Sequence, residues 1–232
     1  MSVPTVLEER CAWRRGDVGD SYVWELGDAD RAELEAALEH AEATTEHTFD
    51  ITADDFPLPT LGPKLREVAR ELIEGRGVAL IRGVPVARLG PERASAVYWG
   101  MGRHIGRPWP QNHKGHLLGD VTDQGKTGAD PTSRGNEIGG VAFPYHSDGS
   151  DLVGLFCLDA GAGGGASLVA NAVSIHNELV RSEPELAAAL YDEFAYDFRG
   201  EEKPGSRPWY LMPLFTERHG RLFVRYIRPY II

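Results

Sequence analysis

At residues 145–149 the chain reads "YHSDG", with His146 and Asp148 two apart. On an extended chain, residues i and i+2 point to the same face, so the imidazole and carboxylate converge while Tyr145 and Ser147 face away. Such a pair suits a divalent metal. Two histidines and one carboxylate on one face of the ion, with three positions left open, suit a non-haem Fe(II) that activates O₂. With eight histidines and 15 aspartates in 232 residues, chance alone supplies about 0.5 H-x-D triplets, so the triplet by itself is weak. Its context strengthens it: strand-like alternation, a glycine directly after it, a Gly-, Pro-, Asn- and Asp-rich loop before it, and the apolar run "LVGLFCL" behind it.

The elements that must position this pair fall into two textures. "DRAELEAALEHAEATTEH", 30–47, puts Leu34, Ala37, Leu38 and Ala41 at helical spacing. Thr60 is a plausible N-cap for a second helix with Leu65, Val68, Ala69, Leu72 and Ile73 inward, stopped by Gly75 and Gly77. "GVALIRG", 77–83, reads as a short buried strand, and Pro91 suits the first turn of a helix over 91–106. From 107 a long loop contains only "HLLGDV" as a strand candidate. Such loops in compact domains are more often functional or mobile than idle. Beyond the triplet, apolar segments at 151–158, 167–171, 193–198, 209–215 and 221–227, with a helix over 173–190 and glycine turns at "AGAGGG" and "RHGR", predict a jelly roll or β-sandwich with helices outside it. The expectation is a single α+β domain over 1–232, helical to about residue 106 and jelly roll from about 107. No internal repeat is visible.

Composition narrows the function. A net charge of −11 offers no basic surplus for phosphates, so nucleic acid is not the expected partner. No run of 18 apolar residues and no apolar leader occurs, which predicts no membrane segment and no export. Two cysteines, Cys11 and Cys157, the latter inside an apolar run and expected to be buried, fit a reducing cytoplasmic setting. G-x-S-x-G, the P-loop, C-x-x-C and H-E-x-x-H are all absent, and "GMGRHIG" closes a helix instead of opening one.

The run "YHSDGSDLVGLFCLDAGAGGGASLVANAVSIHNEL", 145–179, resembles the taurine dioxygenase-like (TauD/TfdA, clavaminate synthase-like) family of Fe(II)- and 2-oxoglutarate-dependent oxygenases. "GRGVALIRGVPV" and "MGRHIGRPWPQNHKGHLLGDVTD" before it, and "YDFRGEEKPGSRPWYLMPLF" and "GRLFVRYIRPYI" after it, carry the resemblance over roughly residues 76–230. The resemblance implies a double-stranded β-helix with flanking helices. It implies Fe(II) as metal, with 2-oxoglutarate and O₂ as co-substrates: 2-oxoglutarate is decarboxylated to succinate and CO₂ while a small organic substrate is hydroxylated. His146 and Asp148 become two of three iron ligands. Ser167 becomes a hydrogen-bond donor to a 2-oxoglutarate carboxylate, with a solvated turn hydroxyl as the alternative. Gln111 and Asn112 fall in the family's substrate-side segment and Arg107 is placed to meet an acid, each with loop stabilisation as the alternative.

The family's third ligand, a distal histidine, and the arginine that pairs with 2-oxoglutarate both lie past the segment resembling "VRYIRPYI". Neither has a counterpart in these residues, so the expected barrel is incomplete and its open edges invite a second chain or a homo-oligomer. His176 reads as an exposed or helix-packing residue and His219 as a hairpin tip. His104, His113 and His116 precede the triplet and match no family position, while His113 and His116 sit in the loop, from which either could approach the metal. Arg225 and Arg228 are either anion partners or alternately exposed strand residues. Three readings stay open: part of a dioxygenase completed by another chain, a two-ligand variant with altered or no oxygenase activity, and an inactive metal-binding or scaffolding module of the same fold.

Overall fold

The computed structural model describes residues 4–8, 11–112, 114–127, 138–140 and 142–232. Two compact units emerge: one holds 10–109 with 154–167, the other 1–9, 110–153 and 168–232.

The first unit is helical. β1 (Val23–Glu25) leads into α1 (Asp28–Thr44), followed by a 3₁₀ turn (Thr48–Asp50), α2 (Leu61–Glu74), β2 (Leu80–Arg82) and α3 (Val86–Ile105). α1 buries Leu34, Ala37, Leu38 and Ala41, the apolar stripe its spacing predicts. Its first turn is held by Asp30, which is only 7% exposed, accepts the Gly27 N–H at 3.0 Å and pairs with Lys64 of α2 at 2.7 Å. The Lys64 bond, opposed by burial, holds the Asp30 carboxyl below its usual range. α2 turns Leu61, Leu65 and Val68 inward, but Ile73 is 54% exposed, against the sequence expectation.

Thr60 stands at the start of α2 as expected, but its side chain makes no capping bond to that helix. Instead Glu33 of α1 accepts the N–H groups of Thr60 at 2.8 Å and Leu61 at 3.0 Å, and the Thr60 hydroxyl as well. α3 is kinked at Gly90, whose φ of +74° breaks the helix so that Pro91 opens its main run. On α3, the Gly100 backbone packs flush against the Phe56 ring, Trp99 donates its indole N–H to the Ile51 carbonyl at 3.1 Å, and His104 donates to the Phe56 carbonyl at 2.8 Å. Phe156 stacks on Tyr98 with ring centroids 5.0 Å apart, joining the 154–167 segment to this unit.

The second unit contains α4 (Ala172–Ser182), α5 (Pro184–Ala189), β3 (Glu193–Asp197), β4 (Trp209–Pro213), β5 (Phe215–Arg218), β6 (Arg221–Val224) and a terminal 3₁₀ turn (Arg228–Tyr230). Asn171 caps α4 by accepting the Ser174 N–H at 2.8 Å. β3 pairs antiparallel with β4, and β5 with β6. The β5–β6 turn is His219-Gly220 with φ of +55° and +73°, the two positive angles of a type I′ hairpin. His176 is fully buried and edge-on to Phe215, and it accepts the Tyr191 hydroxyl at 2.8 Å. This packing role is one of the two that its sequence context predicts.

Among the described residues the strands form three two-stranded sheets, β1–β2, β3–β4 and β5–β6, with no closed barrel, so the expected double-stranded β-helix is present here only as separate hairpins and pairs. "HLLGDV", 151–158 and 167–171 are not strands. An apolar segment becomes a strand only if a neighbour satisfies its N–H and C=O groups. Among the described residues no strand pairs with these segments, and Leu155 and Leu168 stand 76% and 74% exposed. Cys157 is exposed for the same reason, against the expectation of a buried thiol. No helix of the described residues is long and apolar enough to cross a membrane.

Candidate metal centre

His146 and Asp148 sit on an irregular segment of the second unit, not on a strand, yet their side chains do approach. His146 Nε2 lies 4.0 Å from Asp148 Oδ1. His146 Nδ1 is 2.9 Å from the Pro144 carbonyl oxygen. A carbonyl can only accept, so Nδ1 carries the proton and the lone pair of the neutral ring is on Nε2, the nitrogen facing the carboxylate. A backbone acceptor that fixes the tautomer of a histidine in this way is a recurring companion of metal-ligating imidazoles. The Phe143 ring flanks the imidazole at 5.4 Å.

The donor types, an imidazole nitrogen and a carboxylate oxygen, suit a metal. Two donors each about 2.1 Å from one ion stand about 3.0 Å apart on one face of an octahedron, so the 4.0 Å pair would close by about 1 Å to share an ion in that way. The pair would supply two ligands. Among the described residues no group of three His, Cys, Asp or Glu side chains comes together, so a third protein ligand is not found there.

Three other histidines, His176, His104 and His116, have side-chain partners elsewhere. His176 Nε2 accepts from Tyr191, and its Nδ1 faces Asn177 Oδ1 at 3.2 Å. His104 donates to Phe56, His116 Nδ1 is 3.0 Å from Asn112 Nδ2, and His219 is at the hairpin tip. His113 lies outside the described residues.

The expected co-substrate and substrate residues are distributed between the units. Ser167 and Arg107, both exposed, belong to the first; Gln111 and Asn112 belong to the second. Gln111 donates its side-chain amide to the Leu117 carbonyl at 3.0 Å, and Asn112 Oδ1 accepts the N–H groups of Lys114 at 3.0 Å and His116 at 3.3 Å. Both amides therefore shape their own loop.

Ser147 escaped sequence reasoning, which turned it away from the pair and assigned it nothing. Its hydroxyl is held between the Val224 carbonyl, 2.9 Å away, and the Tyr226 N–H, 2.8 Å away. No local signal announces a contact between residues 77 and 79 positions apart.

A model of the "Taurine catabolism dioxygenase TauD, TfdA family" matches residues 28–229, and the chain belongs to that family of Fe(II)/2-oxoglutarate dioxygenases. It is 33% identical over 220 residues to FR-33289 synthase of Streptomyces rubellomurinus, covering 94% of this chain and 65% of that protein. It is 29% identical over 238 residues to the taurine hydroxylase-like protein SAT17 of Stachybotrys chartarum, covering 97% of this chain and 60% of that protein. The chain thus spans less than two thirds of the length of these curated relatives.

Proposed function

We propose that this chain supplies His146 and Asp148 to an Fe(II)- and 2-oxoglutarate-dependent dioxygenase that hydroxylates a small organic substrate. The observation that carries the reading is the tautomer-fixed Nε2 of His146 facing Asp148 in a chain of this family. Hydroxylation agrees with the name of one relative, the taurine hydroxylase-like protein SAT17.

Iron, when bound, couples decarboxylation of 2-oxoglutarate to oxidation of a substrate C–H bond by O₂. The chain's own contributions are binding and orientation. His146 would hold the ion through Nε2, kept in register by the Pro144 carbonyl, and Asp148 would bind it while offsetting its charge. Ser167 would donate its hydroxyl to a carboxylate of 2-oxoglutarate. Arg107 would attract an acidic substrate, with Gln111 and Asn112 in the same role only after releasing their loop bonds. The third ligand would come from outside the described residues.

A second reading rests on the missing third donor among the described residues: a metal-binding or scaffolding module without turnover. Anaerobic titration of the 232-residue chain with Fe(II) and 2-oxoglutarate separates the two. The oxygenase reading expects a weak visible charge-transfer band and, on admitting O₂ with substrate, succinate release; metal binding with neither supports the module. Binding that survives undiminished in both His146→Ala and Asp148→Ala removes the ligand assignment altogether.

A further inference from the structure

Every polar group of Ser147 is engaged by the three residues at the end of β6. Its N–H donates to the Tyr226 carbonyl at 2.8 Å. Its hydroxyl donates to the Val224 carbonyl at 2.9 Å and accepts the Tyr226 N–H at 2.8 Å. Its carbonyl accepts Arg225 Nη1 at 3.4 Å, and the same guanidinium covers Gly149, where an added Cβ would meet it at 3.2 Å. Residues 146 and 148 on either side are exposed, while Ser147 is half-buried. The triplet is therefore gripped at its centre, with the two candidate ligands projecting from a fixed point.

We infer that Ser147 is a positioning residue for the metal centre: its hydroxyl, bridging Val224 C=O and Tyr226 N–H, sets the orientation in which His146 and Asp148 meet one ion. The inference rests on the reading of those two residues as ligands. An irregular segment has no ladder to hold its side chains in register, so the clamp takes the place of the missing strand partner. Groups that orient metal ligands without touching the ion change metal affinity by about 10- to 100-fold when removed.

The test is Co(II) binding to the full chain, read anaerobically by visible ligand-field absorption well below the melting temperature, with circular dichroism as the check on folding. Ser147→Ala removes both hydroxyl bonds and keeps the backbone bond to Tyr226; it is expected to weaken Co(II) binding about tenfold or more. Ser147→Thr, which keeps the hydroxyl, restores affinity to within about threefold of the parent on the same scale. If Ser147→Ala does not fold, Ser147→Cys keeps the volume with a poorer hydrogen-bonding group and is expected to give an intermediate loss. Parental affinity in a folded Ser147→Ala protein, while His146→Ala abolishes binding, overturns the positioning role and leaves the ligands standing. Indifference of binding to both Ser147→Ala and His146→Ala overturns the ligand reading and the inference together.

Discussion

The Tyr196 hydroxyl donates to the Arg225 carbonyl at 2.5 Å, fastening β3 to the central one of the three residues that grip Ser147. Tyr196 is fully buried, and burial raises its phenol above the usual range, so it stays a donor through neutral pH. Tyr196→Phe is expected to destabilise the protein by about 1–2 kcal/mol in urea unfolding, since the ring still packs but a carbonyl loses its partner. A loss under about 0.3 kcal/mol would mean water or another donor replaces the bond.

The β5–β6 hairpin depends on two left-handed residues, His219 and Gly220. Gly220→Ala should lower stability by about 1 kcal/mol, because alanine resists a positive φ that glycine adopts freely. His219→Asn should be neutral or mildly stabilising, asparagine being favoured at that turn position. Thermal melts of the two variants side by side check both signs; a stable Gly220→Ala protein would contradict the turn assignment.

Within the helical unit, the contact of Gly100 with Phe56 leaves no room for a methyl group: a Cβ at 100 would lie 2.4 Å from Phe56 Cγ, and both residues are buried. Gly100→Ala is expected to cost about 1–3 kcal/mol through displacement of the ring, despite alanine's better helix propensity. Denaturant unfolding followed by tryptophan fluorescence reports it through the neighbouring Trp99. A more stable variant would show that propensity outweighs packing at this position.

Glu33 makes part of the stability depend on pH. Burial is the largest single influence on its carboxyl and acts to raise it, but the hydrogen bonds from Thr60 and Leu61 together hold it below its usual range. The folded protein therefore favours the ionised form. That stabilisation is complete above the unfolded value near about pH 4.3 and drains as pH falls through the lowered folded value. Glu33→Gln should cost about 1 kcal/mol at neutral pH, the usual worth of a helix cap, and the gap from the parent should close below roughly pH 4. Parallel stability curves for the two proteins across roughly pH 5 to 3 would count against this cap.

Local patterns carried the helices well. The stripe Leu34, Ala37, Leu38 and Ala41 reappears as the buried face of α1, and "RHGR" as a two-residue turn. Contacts between distant residues were not legible. Thr60 marks the start of α2, but its bonds run to Glu33, 27 residues away, because a carboxylate on a neighbouring helix offers two strong acceptors where a hydroxyl offers one. The apolar segments at 151–158 and 167–171 carry strand composition, but pairing needs a neighbouring backbone that composition does not specify. At the candidate centre, the H-x-D spacing correctly implied that His146 and Asp148 approach each other, though on irregular backbone and not on a strand. The Pro144 carbonyl that meets His146 is a local contact two residues away, whereas the Ser147 clamp, 77 and 79 positions long, is a tertiary one.

The clamp also has a timetable. Ser147 and Tyr226 are 79 positions apart, so at roughly 5–20 residues per second a ribosome needs on the order of 4–16 s to go from one to the other. During synthesis the candidate ligands emerge well before the residues that anchor them. In that interval His146 and Asp148 are on an untethered segment, and the clamped arrangement of the pair belongs to the period after Tyr226 has been translated.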